Sequence, residues 1–471
     1  MLQQLGLLPM GWLLIALIAV FASVAFFVGR VRAERLLLSG APELHSRPNY
    51  HGYFVAMWAV LPAILVALAY ALGAEAVSRG QLTSELPPAF ELLSAAEMQT
   101  YLDSVAQAAR STDYAGTDLV FTAVTNRYLE IQGGLNIGAL ALMVFGALGG
   151  LVFARRRLAA SFRARSLVER GMESVLFLCA VVAIATTVGI VVSLLYESIQ
   201  FFRVVPIWDF LFGTRWNAQT EAEFGALPLF FGTFMIALIA MAVAAPIGLF
   251  SAIYLSEYAG PRARAWIKPI LEILAGIPTV VYGFFALLVV APAVRSVAIW
   301  INETLINTGL ATEPLLAAQP TSALAAGLVM GIMVIPFVSS LSDDVINAVP
   351  QTLRDGAYAL GATKSETVRN VVVPAALPGI IAALLLAVSR AIGETMIVVM
   401  AAGKSARISM DPTSDLTTIT VQIVSLMTGE TGFDDPKTLS AFALGLVLFA
   451  VTLIFNVIAL RVVQKYREKY D

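Results

Sequence analysis

LRDGAYALGATKSETVRNVVVPAALPGIIAALLLAVSRAIGETMIVVMAAG, residues 353–403, decides how this chain is read. From Ala375 onward it is an apolar run long enough to cross a bilayer. Within that run stand an arginine and a glutamate one helical turn apart, Arg390 and Glu394. A charge inside a membrane helix costs at least a few kcal/mol, so such residues rarely sit there without function. The preceding part, 353–374, is polar and is punctuated by Gly361 and Pro374.

Working outward, 59% of the 471 residues are hydrophobic and 13% are charged, against about a quarter charged in an ordinary soluble domain. Runs of more than about 18 apolar residues recur along the chain, which makes it an all-α polytopic membrane protein embedded in a lipid bilayer. The net charge of −2 decides nothing, because the charges are unevenly placed, and no nucleic-acid partner is expected. The single cysteine, Cys179, allows neither an intrachain disulfide nor a cysteine metal cluster. His45 and His51 fall in a short predicted loop, six residues apart, and lack the i, i+4 spacing of a zinc pair. No metal and no cofactor are therefore expected. The N-terminus has no basic segment and no small-residue cleavage site before its first apolar run, which predicts a retained helix.

Nine spans are predicted, at 7–29, 53–73, 134–154, 174–195, 227–254, 270–293, 322–341, 375–402 and 440–463. Twenty of the 30 Lys and Arg residues lie in one alternating set of loops and the tail, nine lie in the other set, and the last is Arg390. The positive-inside bias then places the N-terminus outside, the C-terminus in the cytoplasm and 342–374 on the cytoplasmic side. Two regions are expected. Residues 1–170 form an N-terminal extension with three spans and an acidic external segment, 74–133, carrying Glu85, Glu91, Glu97, Asp103, Asp113 and Asp118. Residues 171–471 form a six-helix core. Leu92, Leu93, Ala96, Leu102, Val105 and Ala109 give 91–110 the spacing of one amphipathic helix, read either as a cap over the outer face or as a partner contact.

Arg390 lies 12 residues beyond Pro378, about 18 Å along a continuous helix and near mid-bilayer. Two readings stay open: a salt bridge that locks helices together, or a guanidinium facing an anion path with Glu394 positioning it. Arginine offers planar, bidentate donation to tetrahedral oxyanions. Ser389 and Thr395 add hydroxyls beside the pair. The polar segment reads as two short helices, 353–360 stopped by Gly361 and 365–372 ending at Pro374, a cytoplasmic knob.

Asp355, Gly356, Ala357, Gly361, Val371, Val373 and Pro374 match the spacing E-A-A-x3-G-x9-I-x-L-P of ABC importer permeases, with Asp for Glu, Gly for the first Ala, and Val for Ile and Leu. SRAIGETMIVVMAAG at 389–403 resembles the R-A-[LI]-G-E-T-M stretch of phosphate-specific importer permeases of the PstC type, as does EILAGIPTVVYG at 272–283. The resemblance covers about 170–465 and implies an ATPase-coupling role for the 342–374 loop and a phosphate path at Arg390 and Glu394, to which the neighbouring Ser389 and Thr395 add their hydroxyls. It also implies a second homologous permease forming a heterodimer, a cytoplasmic ATP-binding subunit dimer, a periplasmic phosphate-binding protein and an inner-membrane location. A permease for molybdate or sulfate, or a gradient-driven anion transporter, are the rival readings; the second leaves the 353–374 knob without a role. Gly403-Lys404-Ser405 imitates the end of a phosphate-binding loop, but Val398 stands where its first glycine belongs. The chain is therefore expected to be non-enzymatic, with ATP hydrolysed by a partner.

Overall fold

The structure, a computed structural model, describes residues 10–38, 44–86, 90, 94–110, 119–159, 161–218, 222–429 and 435–466. Among them the chain is helical apart from one small antiparallel hairpin, β1 (Trp216–Asn217) with β2 (Glu223–Phe224). Nine helices among these residues are long and apolar enough to span a membrane, and each predicted span overlaps one of them. The chain folds as two units, Met1–Ile184 and Ala185–Asp471, which divide within one long helix.

The first unit contains α1 (Met10–Leu38), α2 (Pro48–Glu85), α3 (Ala95–Arg110), α4 (Leu119–Arg157) and the start of α5 (Ala164–Val204). Small residues let its helices approach closely, as apolar packing between membrane helices requires. A Cβ on Gly29 of α1 would come within 2.8 Å of the His51 carbonyl of α2. Phe54, Val55 and Ala59 of α2 pack with Ala154 of α4 and Val168 of α5. His51 is thus not a loop residue: it lies in the first turn of α2, fully buried, with its ring 6.1 Å from that of Phe162.

The amphipathic helix expected over 91–110 begins at Ala95, because Ser94 and Glu97 form a reciprocal cap. Glu97 is held below the usual carboxylate range by the Ser94 backbone N–H and hydroxyl that donate to it. Leu102, Val105 and Ala109 face inward against Leu82, Val124 and Leu129, so this face of α3 is used within the unit. Leu92, Leu93, Glu91, Asp113 and Asp118 lie outside the described residues.

The second unit continues α5 and adds α6 (Ile207–Phe212), α7 (Leu227–Ile253), α8 (Pro261–Gly276), α9 (Thr279–Phe285), α10 (Ala291–Asn307), α11 (Ala323–Asn347), α12 (Gln351–Ala359), α13 (Lys364–Thr367), α14 (Val373–Ile392), α15 (Met396–Ala401), α16 (Ile419–Met427) and α17 (Pro436–Tyr466). At its centre α7 and α11 pack through Ile236, Ala240 and Ala244 against Val329, Met330 and Val334. Wide-turn π segments extend α7 over Tyr254–Tyr258 and join α9 to α10 over Ala286–Val290.

Three boundaries depart from expectation, each for a local reason. The sixth span is Thr279–Asn307 and not 270–293. Ile277, held extended ahead of Pro278, breaks the chain after α8, and α8 is a separate helix carrying Arg262, Arg264 and Lys268. Pro374 does not end the second short helix. The π turn Val368–Val372 absorbs the proline, which has no N–H to offer, and the helix runs unbroken from Lys364 to Ile392. The eighth span stops at Ile392 instead of running to 402: Gly393 caps it, and α15 starts after Glu394 and Thr395.

Candidate functional site

The break after Ile392 reshapes the charge pair. Arg390 occupies the last turn of α14, at the end of a helix that starts at Lys364, and not the middle of a span. Glu394 lies beyond the helix, and it makes no ion pair with Arg390. Its Oε1 accepts from the backbone N–H groups of Met396 (3.0 Å) and Ile397 (3.4 Å), where it neutralises the positive start of α15. Its own carbonyl accepts from the Thr420 hydroxyl at 2.8 Å, tying the bend to α16. Thr395 is the first residue outside α15, and the Ser389 carbonyl receives the Gly393 N–H that closes α14.

Released from Glu394, the Arg390 guanidinium lies 5.9 Å from the centre of the Phe337 ring, a cation–π distance, and makes no ion pair among the described residues. It opens onto a cavity of about 280 Å³ walled by α8, α11 and α14, with Lys268, Glu272, Phe337, Ser339 and Asp343 around it. Glu394, Ser389 and Thr395 are not among the lining residues. The four polar residues grouped by sequence therefore separate: one faces the cavity, and the other three shape the bend beside it.

At the cavity wall Asp343 of α11, with a side chain 2% exposed, is the hub of a cluster with α8. Arg264 Nη2 donates to both of its oxygens, at 3.1 and 2.9 Å. Lys268 Nζ donates to Oδ2 at 3.0 Å, and Asn347 donates to Oδ1 at 2.8 Å. A buried carboxylate needs such partners. The bond to Asp343 in turn holds the Lys268 ammonium above the usual lysine range, so it stays charged. Two cations, Arg264 and Lys268, are thereby held on this carboxylate, and Lys268 also lies 3.6 Å from Asp344.

The polar segment 353–374 follows directly on α11. Gly361, in left-handed backbone at φ +84°, turns the chain from α12 into α13. Thr363 and Glu366 then cap α13 reciprocally. Asp355, Gly356, Gly361 and Pro374 are exposed, with Leu360 90% exposed between them, while Ala357, Val371 and Val373 are half-buried. Beneath this exposed ridge Arg354 is buried. It donates to Glu257 Oε1 at 2.9 Å and 3.2 Å, to the Ile346 carbonyl at 2.9 Å and to the Val349 carbonyl. Sequence reading missed Arg354, Glu257, Arg264, Lys268 and Asp343. The available signals were weak: the i, i+4 pair Arg264 and Lys268 on a short amphipathic helix, and the Asp343-Asp344 doublet closing an apolar run. Gly403-Lys404-Ser405 lies in the loop after α15, where the Ser405 hydroxyl donates to Asp415.

A family model described as binding-protein-dependent transport system inner membrane component matches residues 244–468, and one described as phosphate ATP-binding cassette transporter matches 15–186. The probable ABC transporter permease protein YqgH of Bacillus subtilis is 32% identical over 64% of this chain and 92% of its own length. Phosphate transport system permease proteins PstC of Mesorhizobium japonicum and Xylella fastidiosa (strain Temecula1) are 34% and 36% identical, over 59% and 62% of this chain and 85% and 90% of theirs. An inward-facing structure of the MetNI methionine ABC transporter aligns over 52% of this chain and 95% of its own at 17% identity, with a TM-score of 0.34. The relatives are transport permease components, and with nine apolar helices among its described residues this chain is a multi-pass inner-membrane protein. On this likeness it belongs to the PstC-type permeases of the binding-protein-dependent ABC transport systems.

Proposed function

We propose that this chain is a permease subunit of an ATP-driven importer of inorganic phosphate, with the cavity at Arg390 as a station on the anion's path. The observation that carries this is the free guanidinium of Arg390 at a cavity whose other wall holds a second charged cation, Lys268. Kinship with permeases named for phosphate transport supports phosphate over molybdate or sulfate. Ser389, Glu394 and Thr395 belong to the path as the bend that sets where Arg390 points. The subunit itself is non-catalytic. Its companions are a second, homologous permease forming a heterodimer, a dimer of cytoplasmic ATP-binding subunits and an external phosphate-binding protein. The N-terminus lies outside and the C-terminus inside, as the lysine and arginine bias requires. Residues 1–170 are an extension to the 171–471 permease region.

Support for ATPase docking at 353–374 is the exposed ridge of Asp355, Gly356, Leu360 and Gly361 above the buried Arg354. The whole reading is tested by reconstituting the full transporter in proteoliposomes and measuring ATP-driven accumulation of labelled phosphate, sulfate and molybdate. Phosphate is expected to accumulate and the others not. Accumulation driven by an ion gradient without ATP, or a preference for sulfate or molybdate, sinks it.

A narrower expectation concerns Gly361. A Cβ there meets nothing within 4 Å, so Gly361→Val acts through the backbone alone. Left-handed backbone costs about 1–2 kcal/mol for a residue with a side chain, which shifts the turn that presents the ridge. The complex should assemble, retain ATP hydrolysis and lose several-fold in phosphate moved per ATP. Unchanged coupling would count against docking at this loop.

A further inference from the structure

We propose that Ser339 is the hydroxyl donor of an oxyanion site flanked by Arg390 and Lys268, so that the cavity holds a tetrahedral anion between two cations and one neutral donor. This rests on the anion path proposed for the same cavity. Ser339 stands on α11 three residues beyond Pro336, and both line the cavity with Arg390. Its side chain is 1% exposed, and its Oγ has no hydrogen-bond partner among the described residues.

Many helical hydroxyls fold back on the carbonyl four residues earlier, as Thr233 does on Leu229, Ser296 on Pro292 and Thr304 on Trp300. Ser339 does not, and so keeps an O–H to offer at the cavity wall. Ser198 and Ser342 share the lack of a partner among the described residues, but neither lines the cavity. A buried hydroxyl without a partner is costly. An anion oxygen in the cavity removes that cost, which makes binding and satisfaction of the hydroxyl one event.

The neighbouring groups fit the same ligand. Phe337 holds the Arg390 guanidinium against α11, the helix that carries Ser339. Lys268, paired with Asp343 at 3.0 Å and with Asp344 at 3.6 Å, brings its charge to the cavity wall, and Arg264 and Asn347 remain on Asp343 when the ammonium turns toward an anion. Glu272, which makes no ion pair among the described residues, supplies an acceptor in the cavity. A monohydrogen phosphate carries a proton for such an acceptor and a sulfate carries none. A neutral donor also adds no further charge, so the anion is held without being trapped, as conduction requires.

The test is equilibrium binding of radiolabelled inorganic phosphate to the full transporter, assembled with its partner subunits in lipid nanodiscs. Ser342→Ala is the control: Ser342 is equally buried on α11, also lacks a partner among the described residues, and does not line the cavity. Ser339→Ala should weaken phosphate about tenfold, Ser339→Thr should restore it, and Ser342→Ala should leave it unchanged. If Ser339→Ala binds as the wild type does while Arg390→Ala loses binding, the hydroxyl has no such role and the anion path stands. If Arg390→Ala also binds normally, the path itself fails. Equal losses in Ser339→Ala and Ser342→Ala would mark a packing effect and overturn the proposal.

Discussion

Replacing Arg390 with alanine is expected to lower ATP-driven phosphate uptake by about 100-fold or more while the complex still assembles. Two charge-assisted hydrogen bonds from one guanidinium, each contributing roughly 1.5–3 kcal/mol, account for a loss of that size. The structural cost of the change is small. Arg390 makes no ion pair among the described residues, and its contact with Phe337 is a single cation–π approach at 5.9 Å. Contacts of that kind contribute about 0.5–1 kcal/mol at exposed sites. Arg390→Lys keeps the charge but loses the planar fork, and should recover part of the uptake without reaching the wild-type rate. Uptake by proteoliposomes, with assembly checked by co-purification of the ATPase, decides the matter. Wild-type transport in Arg390→Ala removes the anion role, and a complex that no longer assembles identifies Arg390 as structural.

That expectation came from sequence, yet its geometry did not. The apolar run 375–402 hides the stop at Gly393, because glycine within a membrane helix is common and the run resumes at Met396. The bend there is fixed by a tertiary contact, the Thr420 hydroxyl on the Glu394 carbonyl, together with the local cap of the Glu394 carboxylate on α15. The pair that looked like one device is consequently two: a cation at the cavity and an anion at a helix start. Lys268 and Asp343, 75 residues apart, were beyond any local pattern, since long-range pairing leaves no periodicity to read. What sequence does encode strongly is chain-local. Span length follows from apolar runs, Gly361 is the residue that tolerates left-handed backbone, and Thr363 with Glu366 writes a helix start. Pro374 misled because a proline is a stop signal only where the preceding turn cannot widen, and here the π turn at Val368–Val372 does widen.

The second large effect is expected at Arg354, which sits where the 353–374 segment meets the core. Its side chain is 10% exposed and that of Glu257 is 7% exposed, so neither charge has water to fall back on. Arg354→Met leaves Glu257 buried without its partner and removes the donor to the Ile346 and Val349 carbonyls. Breaking one half of a buried pair costs about 3–5 kcal/mol, whereas replacing both halves with apolar residues is often close to neutral. The unfolding midpoint of Arg354→Met in detergent should therefore fall markedly, and Arg354→Met with Glu257→Leu should recover much of it. Transport separates stability from transmission. Arg354 is the fastener joining α12 to the π turn after α7 and to the end of α11, the helix that carries Asp343, Ser339 and Phe337. The restored double variant should regain its folded complex and its ATP hydrolysis, yet move less phosphate per ATP, because a greasy contact lets α12 slide where the fork held it. A double variant that transports at the wild-type ratio would show that Arg354 serves stability alone. A single variant as stable as the wild type would show that the buried pair contributes nothing.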